Sequence, residues 1–351
     1  MARPKKISMQ DIADRIGISK NAVSLALSGK SGVSEHVRLI VRHTAQEMGY
    51  EPPAAAKQAG RAGRNILVLV PERVIGHTDQ EHFRFFHDML WILEENIRAR
   101  GCNAVIARID REMEKQGILP RLYRDVEHVG VILFGIVDKS YARMVWETGV
   151  PLVMLDSYYR DLHCAAAVSA NTEGAESVVR WLIGRGHRKI GFIGPANLTT
   201  SHEERWFGYW RAMREAGLPI LEAHTLLEAD DFDEAKNERE IGDFLDRIKT
   251  GGAELPTAFF CGNDRLALLL IRRLRAMGIP ASQQMEVAGF DGLKQAEAAK
   301  SGLSVTVRVD KDGLCRAAVD LLLGGFADKR QAIRWAVEGH LAVLDGCGKH
   351  E

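Results

Sequence analysis

Nothing in this 351-residue chain approaches the ~18 consecutive apolar residues of a membrane-spanning helix. Its N-terminus, Met1 to Lys6, is basic but passes straight into amphipathic sequence, without the apolar stretch of a signal peptide. The expectation is a cytoplasmic protein with no membrane partner. Cysteine is sparse too. Cys102, Cys164, Cys261, Cys315 and Cys347 stand singly, with no CxxC pair and no histidine at metal-ligand spacing, so they read as small buried hydrophobes. Among the histidines, His77, His82 and His87 are five residues apart and do not share one helical face. No metal and no other cofactor is expected. Enzyme signatures are also missing: no GxGxxG follows the apolar run Ile66 to Val70, and the chain has no Walker A motif and no GxSxG elbow. No catalytic residue is assigned.

What is present is an ordinary globular composition, 46% hydrophobic and 27% charged, enough for roughly two or three domains. Its net charge of zero hides an asymmetry. Eleven basic and five acidic residues precede Asn65, so the head carries +6 and the remainder −6. A basic head on an acidic body suits a polyanion such as DNA. It equally suits a solubilising arm, and charge alone does not separate the two.

Three short helical patterns come first. Ser8 can cap a helix from Met9 to Arg15, with Asp11 placed to favour the free backbone donors, and Gly17 breaks it. Ser19 can cap a second, Lys20 to Leu27, and Ser34 a third, Glu35 to Met48, whose Val37, Ile40, Val41 and Ala45 recur at helical spacing. From Glu51 to Arg64 the composition shifts to Pro, Ala, Gly and Arg, a boundary in which Pro52 and Pro53 can start a short helix. From Asn65 onward, short apolar strands alternate with amphipathic helices. The strands are Ile66 to Val70, Cys102 to Ala107, Val129 to Phe134, Leu152 to Leu155, Ile190 to Ile193, Ala258 to Cys261 and Glu286 to Gly289. The main helices between them are Phe83 to Arg100, Glu173 to Arg185, Glu204 to Ala216, Asp233 to Lys249 and Arg265 to Met277. Strands separated by helices imply parallel sheets covered on both faces. Some 280 residues are better divided between two such sheets than gathered in one, which makes a cleft beyond the strand ends.

The run Ile12 to Ser24, followed by Gly32-Val33-Ser34, Arg38 and Gly49-Tyr50-Glu51-Pro52, closely resembles the head of the LacI family of bacterial transcription regulators. The body carries landmarks similar to that family's, in the same order: Asn171-Thr172-Glu173-Gly174, Gly186 to Ile190, Arg205 with Gly208-Tyr209, Asn263-Asp264 and Gly289-Phe290-Asp291. The resemblance spans essentially the whole chain. It implies an all-α helix-turn-helix head, three helices plus a hinge helix, joined to an α/β periplasmic-binding-protein-like core of two parallel-sheet subdomains with three crossovers. The domains expected are a head at 1–51, a hinge at 52–64 and a core at 65–346. Subdomain one takes about 65–167 and 310–325, and subdomain two about 168–300 and 333–346.

By the same resemblance the function is a sequence-specific DNA-binding regulator, expected to be a repressor, controlled by a small molecule, sugar or sugar-like, bound between the subdomains. Its partners are a pseudo-palindromic double-stranded operator, that effector and a second copy of the chain. No heptad tail follows the last expected strand, His340 to Leu344, so a homodimer is favoured over a tetramer. Lys20, Asn21 and Ala22, at the start of the second helix, are the expected readers of base edges. Ser8, Ser19, Ser24 and Arg38 are placed for phosphate contacts, although capping explains the serines as well. Ala56, Lys57 and Ala59 align with the family's hinge positions. The minor-groove leucine of the family falls at Ala59, whose methyl group reaches less far between base pairs, so weak operator bending is expected. Leu25 stands where the family has a basic or polar residue. For the effector, the matching positions are Asp156, Arg205, Asn263 and Asp291, with Phe232 as a stacking surface or a core residue. Trp206, Phe83 and Tyr158 are further apolar walls, and Asn171, Asn263 and Asp264 can instead cap helices. The rival reading is a solute-binding sensor without specific DNA recognition, which the body alone does not exclude.

Overall fold

The computed structural model describes residues 7–28, 32–34, 64–75, 80–230, 233–279, 285–292, 302–327 and 332–344, with 37, 38, 40, 41, 44, 45, 48 and 50. Backbone contacts divide the chain into two compact units, Met1–Arg64 with Ala99–Asn103, and Asn65–Arg98 with Ala104–Glu351.

In the head, α1 (Met9–Ile16) begins at a complete capping box: the Asp11 N–H donates to Ser8 Oγ and the Ser8 N–H to Asp11 Oδ2. It ends at Gly17 in the left-handed region, φ 73°, where glycine carries no Cβ penalty. Ser19 Oγ accepts from the Ala22 N–H at the start of α2 (Lys20–Ser28), and Ser34 Oγ accepts from the Val37 N–H. Of the expected third helix, 37, 38, 40, 41, 44 and 45 are helical and most of the remainder lies outside the described residues. Ile12, Ala13, Val23, Ala26, Val41 and Ala45 form one buried cluster. Ile40, expected on the same face, is exposed.

The larger unit holds two six-stranded sheets, ordered β11-β5-β4-β3-β1-β2 and β12-β10-β9-β8-β6-β7. The first lobe comprises β1 (Asn65–Pro71), α3 (Glu72–Ile75), α4 (Gln80–Ala99), β2 (Asn103–Ile109), α5 (Arg111–Gln116), α6 (Arg121–Asp125), β3 (Gly130–Phe134), α7 (Lys139–Glu147), β4 (Leu152–Leu155) and β5 (Ala165–Ser169). The second comprises α8 (Asn171–Gly184), β6 (Ile190–Ile193), α9 (Thr200–Glu215), β7 (Thr225–Leu226), α10 (Glu234–Thr250), β8 (Ala258–Cys261), α11 (Asp264–Ala276), β9 (Glu286–Ala288) and β10 (Val305–Arg308). The described pairings are parallel except β10 with β12 (His340–Val343). Strands β3, β4, β6 and β8 are buried along their whole length, as continuous apolar runs between two helical layers require.

The chain crosses between lobes three times: at Ala170, at Val309–Asp310 ahead of α12 (Lys311–Leu323), and at Glu338–Gly339 between β11 (Arg334–Val337) and β12. The second crossing is fixed by Asp310, whose Oδ1 accepts from the Gly313 N–H at 2.9 Å. The last crossing corrects the expected boundaries. Residues 333–346 do not all belong to the second lobe, because Arg334–Val337 pairs with Ala166–Ser169 at the edge of the first sheet. Four residues, three of them exposed, carry too little apolar periodicity to announce that pairing.

At the opposite end of the second sheet from the cleft, Arg185 donates to Glu286 at 2.7 Å, and His187 pairs with the same carboxylate at 3.3 Å while its other ring nitrogen meets Thr257 Oγ1 at 2.9 Å. The landmark Gly186 to Ile190 is thus a clasp at the strand starts. Burial opposes ionisation of Glu286, but the hydrogen bonds and charges of His187 and Arg185 outweigh it and hold its carboxyl below the ordinary range. A depressed carboxylate pKa stabilises the fold above the unfolded value of ~4.3, and that stabilisation fades as pH falls through the folded value. The stability advantage of the native chain over Glu286→Gln is therefore expected to shrink as pH falls below ~4.3. Urea denaturation across pH would show this; an advantage that grows in acid contradicts it.

Cys102, Cys164, Cys261 and Cys315 are buried and free, and Cys347 lies outside the described residues. Burial pushes the Cys164 thiol up to about 12, which suits an inert core residue.

Candidate functional site

Four of the five sequence-predicted ligand residues meet in one cleft between the lobes. Asp156 follows β4, Arg205 projects from α9, Asn263 precedes α11 and Asp291 follows β9, and all four line the same space. Phe232 lies outside the described residues. Asp156 (φ 67°) and Asp291 (φ 106°) are the only non-glycine residues with positive φ among the described residues. Such backbone costs of order 1–3 kcal/mol and persists where the surroundings fix it, typically at ligand sites. Here it aims two carboxylates into one cleft.

Arg205 is the organising group. Its Nε donates to Asn171 Oδ1 at 2.9 Å, Nη1 to the Gly262 carbonyl at 2.7 Å, and Nη2 pairs with Asp291 at 3.1 Å. Its guanidinium lies 3.9 Å from the Phe290 ring centroid. Asn171, considered as a helix cap, instead orients Arg205: it is the first residue of α8, and its amide also donates to the Ser169 carbonyl. Asn263 does both jobs considered for it, since its Oδ1 accepts from the Leu266 N–H at 2.9 Å while the residue lines the cleft. Asp264 is structural. Its carboxylate accepts from Thr306 Oγ1 at 2.7 Å and from the Gly292 N–H at 2.9 Å, locking the loop that carries Asp291.

The remaining walls were not read from the sequence. Phe85 and Phe86 of α4 supply the aromatic face, and Thr199, Ser201 and the buried His202 come from the start of α9. The signal available for the phenylalanines was their position near Phe83, whose own side chain is outside the description. Trp206 instead stacks on Tyr209 at 5.3 Å beside Phe192, within the second lobe. Tyr158 does not line the cleft either. Its hydroxyl donates to Glu204 and accepts from Arg334 at 2.7 Å. Glu204 in turn accepts from Asn171 at 3.3 Å. A continuous polar chain therefore runs from Asp291 through Arg205, Asn171, Glu204 and Tyr158 to Arg334 on the edge strand of the first lobe. The first turn of α9 adds Thr200 to the Tyr158 carbonyl, Ser201 to the Asp156 carbonyl at 3.3 Å, and Glu203 to Arg160. These contacts draw the lobes together, and the space left in the cleft is about 30 Å³, enough for one or two waters.

In the head, Lys20 and Asn21 are exposed and Ala22 half-buried at the first turn of α2. Ser8 and Ser19 are exposed while serving as caps, and Ser24 and Arg38 are half-buried. Leu25 is half-buried against Gly32, so it packs where the family's polar residue would reach out. Ala56, Lys57 and Ala59 lie outside the described residues.

A sequence profile described as "Bacterial regulatory proteins, lacI family" matches residues 8–53, and one described as "Periplasmic binding protein-like domain" matches residues 179–338. The head thus carries a lacI-family domain and the body a periplasmic-binding-protein-like domain. Among similar proteins, the HTH-type transcriptional repressor PurR of Escherichia coli O139:H28 (strain E24377A / ETEC) is 26% identical over 342 residues, covering 96% of this chain and 95% of its own. The PurR repressor of Actinobacillus pleuropneumoniae serotype 3 (strain JL03) is 24% identical over 335 residues, 95% of either chain. Two solved structures share the fold. A transcriptional regulator CelR–cellobiose complex superimposes with a TM-score of 0.66 at 23% identity, covering 97% of this chain and 100% of that one. A lac repressor dimer bound to operator and the anti-inducer ONPF gives 0.65 at 20% identity, covering 98% and 99%.

Proposed function

We propose that this protein is a transcription repressor whose grip on a DNA operator is set by a small, uncharged, polyhydroxylated metabolite held between the two core lobes. The observation that carries the effector reading is the convergence of Asp156, Asp291, Arg205 and Asn263 on one cleft, two of them in strained backbone. Paired carboxylates and a guanidinium alternate acceptors and donors, which is what vicinal hydroxyls require, and Phe85 and Phe86 offer an apolar face for a ring. With so little room between the lobes, the effector enters only when they part, and it then re-closes them on itself. The polar chain from Asp291 to Arg334 ties that closure to the first lobe, so ligand and DNA each bias the same two-state equilibrium, typically by ~1–3 kcal/mol. The regulator acts as a homodimer on a two-fold operator and works in the cytoplasm, where the chromosome lies, without catalysing a reaction. Among the described residues no helix is long and apolar enough to cross a membrane.

Lys20, Asn21 and Ala22 read base edges, Ser8, Ser19, Ser24 and Arg38 hold phosphates, and Ala56, Lys57 and Ala59 supply the hinge contacts. The test is a gel shift with the chain's own upstream DNA against unrelated DNA at ~150 mM salt, where charge-driven binding is suppressed. Preference for the upstream DNA is expected. Asn21→Ala removes a bidentate adenine contact worth ~1–3 kcal/mol, so the preference is expected to fall ~5- to 150-fold with little change in nonspecific binding. Equal affinity of the native chain for both DNAs would leave only a solute sensor. A thermal-shift screen of neutral sugars then identifies the effector, since a ligand at 100 times its Kd stabilises the fold by about 2.7 kcal/mol.

A further inference from the structure

On the first lobe lies a groove of about 910 Å³, within the size range of small-molecule sites. The proposed function makes no use of it. Two short helices wall it. One, α5, presents Arg111 and Lys115; the other, α7, presents Lys139 and Arg143. Each pair is spaced i,i+4, so its two cations lie on one helix face. Arg111 and Lys115 are exposed and form no ion pair among the described residues. Lys139 and Arg143 both close on one carboxylate, Asp161, at 2.8 Å each, so one of their two charges is uncompensated.

The floor is different in kind. There Arg73 and the buried Glu114 neutralise one another, and Glu114 Oε1 also accepts from the Asp138 N–H at 3.0 Å, which fixes the loop entering α7. Counting Glu114, Asp138 and Glu147 with Asp161, four acids face five cations, a net charge of +1. Asp161 closes on the α7 cations alone, so Arg111 and Lys115 on the facing wall are left without an ion pair among the described residues. They suit a ligand with two or more negative charges, and guanidinium groups match phosphate oxygens bidentately. Ile136 and Met144 leave an apolar surface for the rest of such a molecule.

We propose that this groove is a second small-molecule site, for a phosphorylated metabolite bound between α5 and α7. The site also touches the first one. Ile136 lines both cavities, and Leu198, which lines the groove, comes from the second lobe immediately before Thr199 and Ser201 of the cleft. A ligand in the groove therefore contacts both lobes and biases their closure.

Isothermal titration of the full chain with inorganic pyrophosphate and with ADP, at ~50 mM salt, tests this. Saturable binding of both is expected, weakening as salt rises, with adenosine giving none. The double variant Arg111→Ala/Lys115→Ala removes two exposed cations without touching the core and is expected to weaken binding at least ~10-fold. Absence of saturable binding by either probe overturns the site. So does equal affinity in the native chain and the double variant. Tighter probe binding in the cleft variant Asp291→Asn, with no loss in the double variant, also overturns it and places the probe beside Arg205 between the lobes instead, because that variant removes a carboxylate that repels an anion.

Discussion

Arg205→Ala is expected to destabilise the core by about 3 kcal/mol and to abolish effector binding. The side chain is 8% exposed and makes three polar contacts in three directions, to Asn171, Gly262 and Asp291, while stacking on Phe290. Truncation leaves a carboxylate, an amide oxygen and a carbonyl oxygen without their donor in a nearly closed space, and an unpaired buried polar group costs ~1–3 kcal/mol. Breaking a buried ion pair from one side costs ~3–5 kcal/mol; Asp291 is 27% exposed, which places this pair at the low end. Arg205→Lys is expected to recover less than half of the loss, because one ammonium cannot serve acceptors spread around a planar fork. Urea denaturation followed by tryptophan fluorescence measures the first effect. A loss below ~1 kcal/mol would show that Asp291 and Asn171 find water in place of Arg205. The polar chain from Arg205 to Tyr158 and Arg334 would lose its origin, so the variant is also expected to keep its basal DNA affinity while losing its response to effector.

The second large effect is expected three residues along the same helix. A Cβ on Gly208 would lie 2.4 Å from the Thr172 carbonyl oxygen, 2.6 Å from Ala175 Cβ and 3.1 Å from the Glu176 backbone nitrogen. Two of these neighbours are backbone of α8, so they cannot rotate aside. Helices α8 and α9 must part instead. Replacing a helical glycine with alanine would by itself gain ~1 kcal/mol in propensity. Overpacking costs ~1–3 kcal/mol, occasionally more, and here the obstacle is rigid, so Gly208→Ala is expected to lose about 2 kcal/mol net and Gly208→Val more. A thermal midpoint lowered by several degrees, together with weakened effector binding because Arg205 rides on α9, is the expected outcome. A stabilised Gly208→Ala would mean that the helix pair separates at little cost.

Most elements that face a core on both sides were legible from residues alone. Buried strands such as Val131–Phe134 and Phe259–Cys261 are apolar runs of the right length, and amphipathic helices between them force parallel pairing. Strand β5, Ala165–Ser169, was not, since three alanines carry almost no strand propensity, and what holds them is pairing with Val153–Leu155 and Arg334–Val337. β7 escaped because two residues show no period, and the edge strand β11 because three of its four residues are exposed. At the cleft, Asp156, Asn263 and Asp291 followed strand ends and were found. Phe85, Phe86, Ser201 and His202 were not, because nothing local distinguishes a wall-forming phenylalanine or a cleft histidine from one in a core.

By itself, the sequence determined that a capped, basic helix-turn-helix precedes an alternating α/β core, because capping, periodicity and charge act between residues close along the chain. It also singled out Asp156, Asn263 and Asp291 after strand ends and Arg205 on a helix, although that helix begins at Thr200, earlier than the expected Glu204. Only the tertiary structure decided that Asn171 and Phe290 hold Arg205, that Asp264 is a brace for the Asp291 loop, and that Arg334 closes a polar chain on Tyr158, 176 residues earlier. Those roles depend on which strand and helix ends the three crossings bring face to face. Such distances are fixed by packing between elements far apart in the chain, which no local pattern encodes.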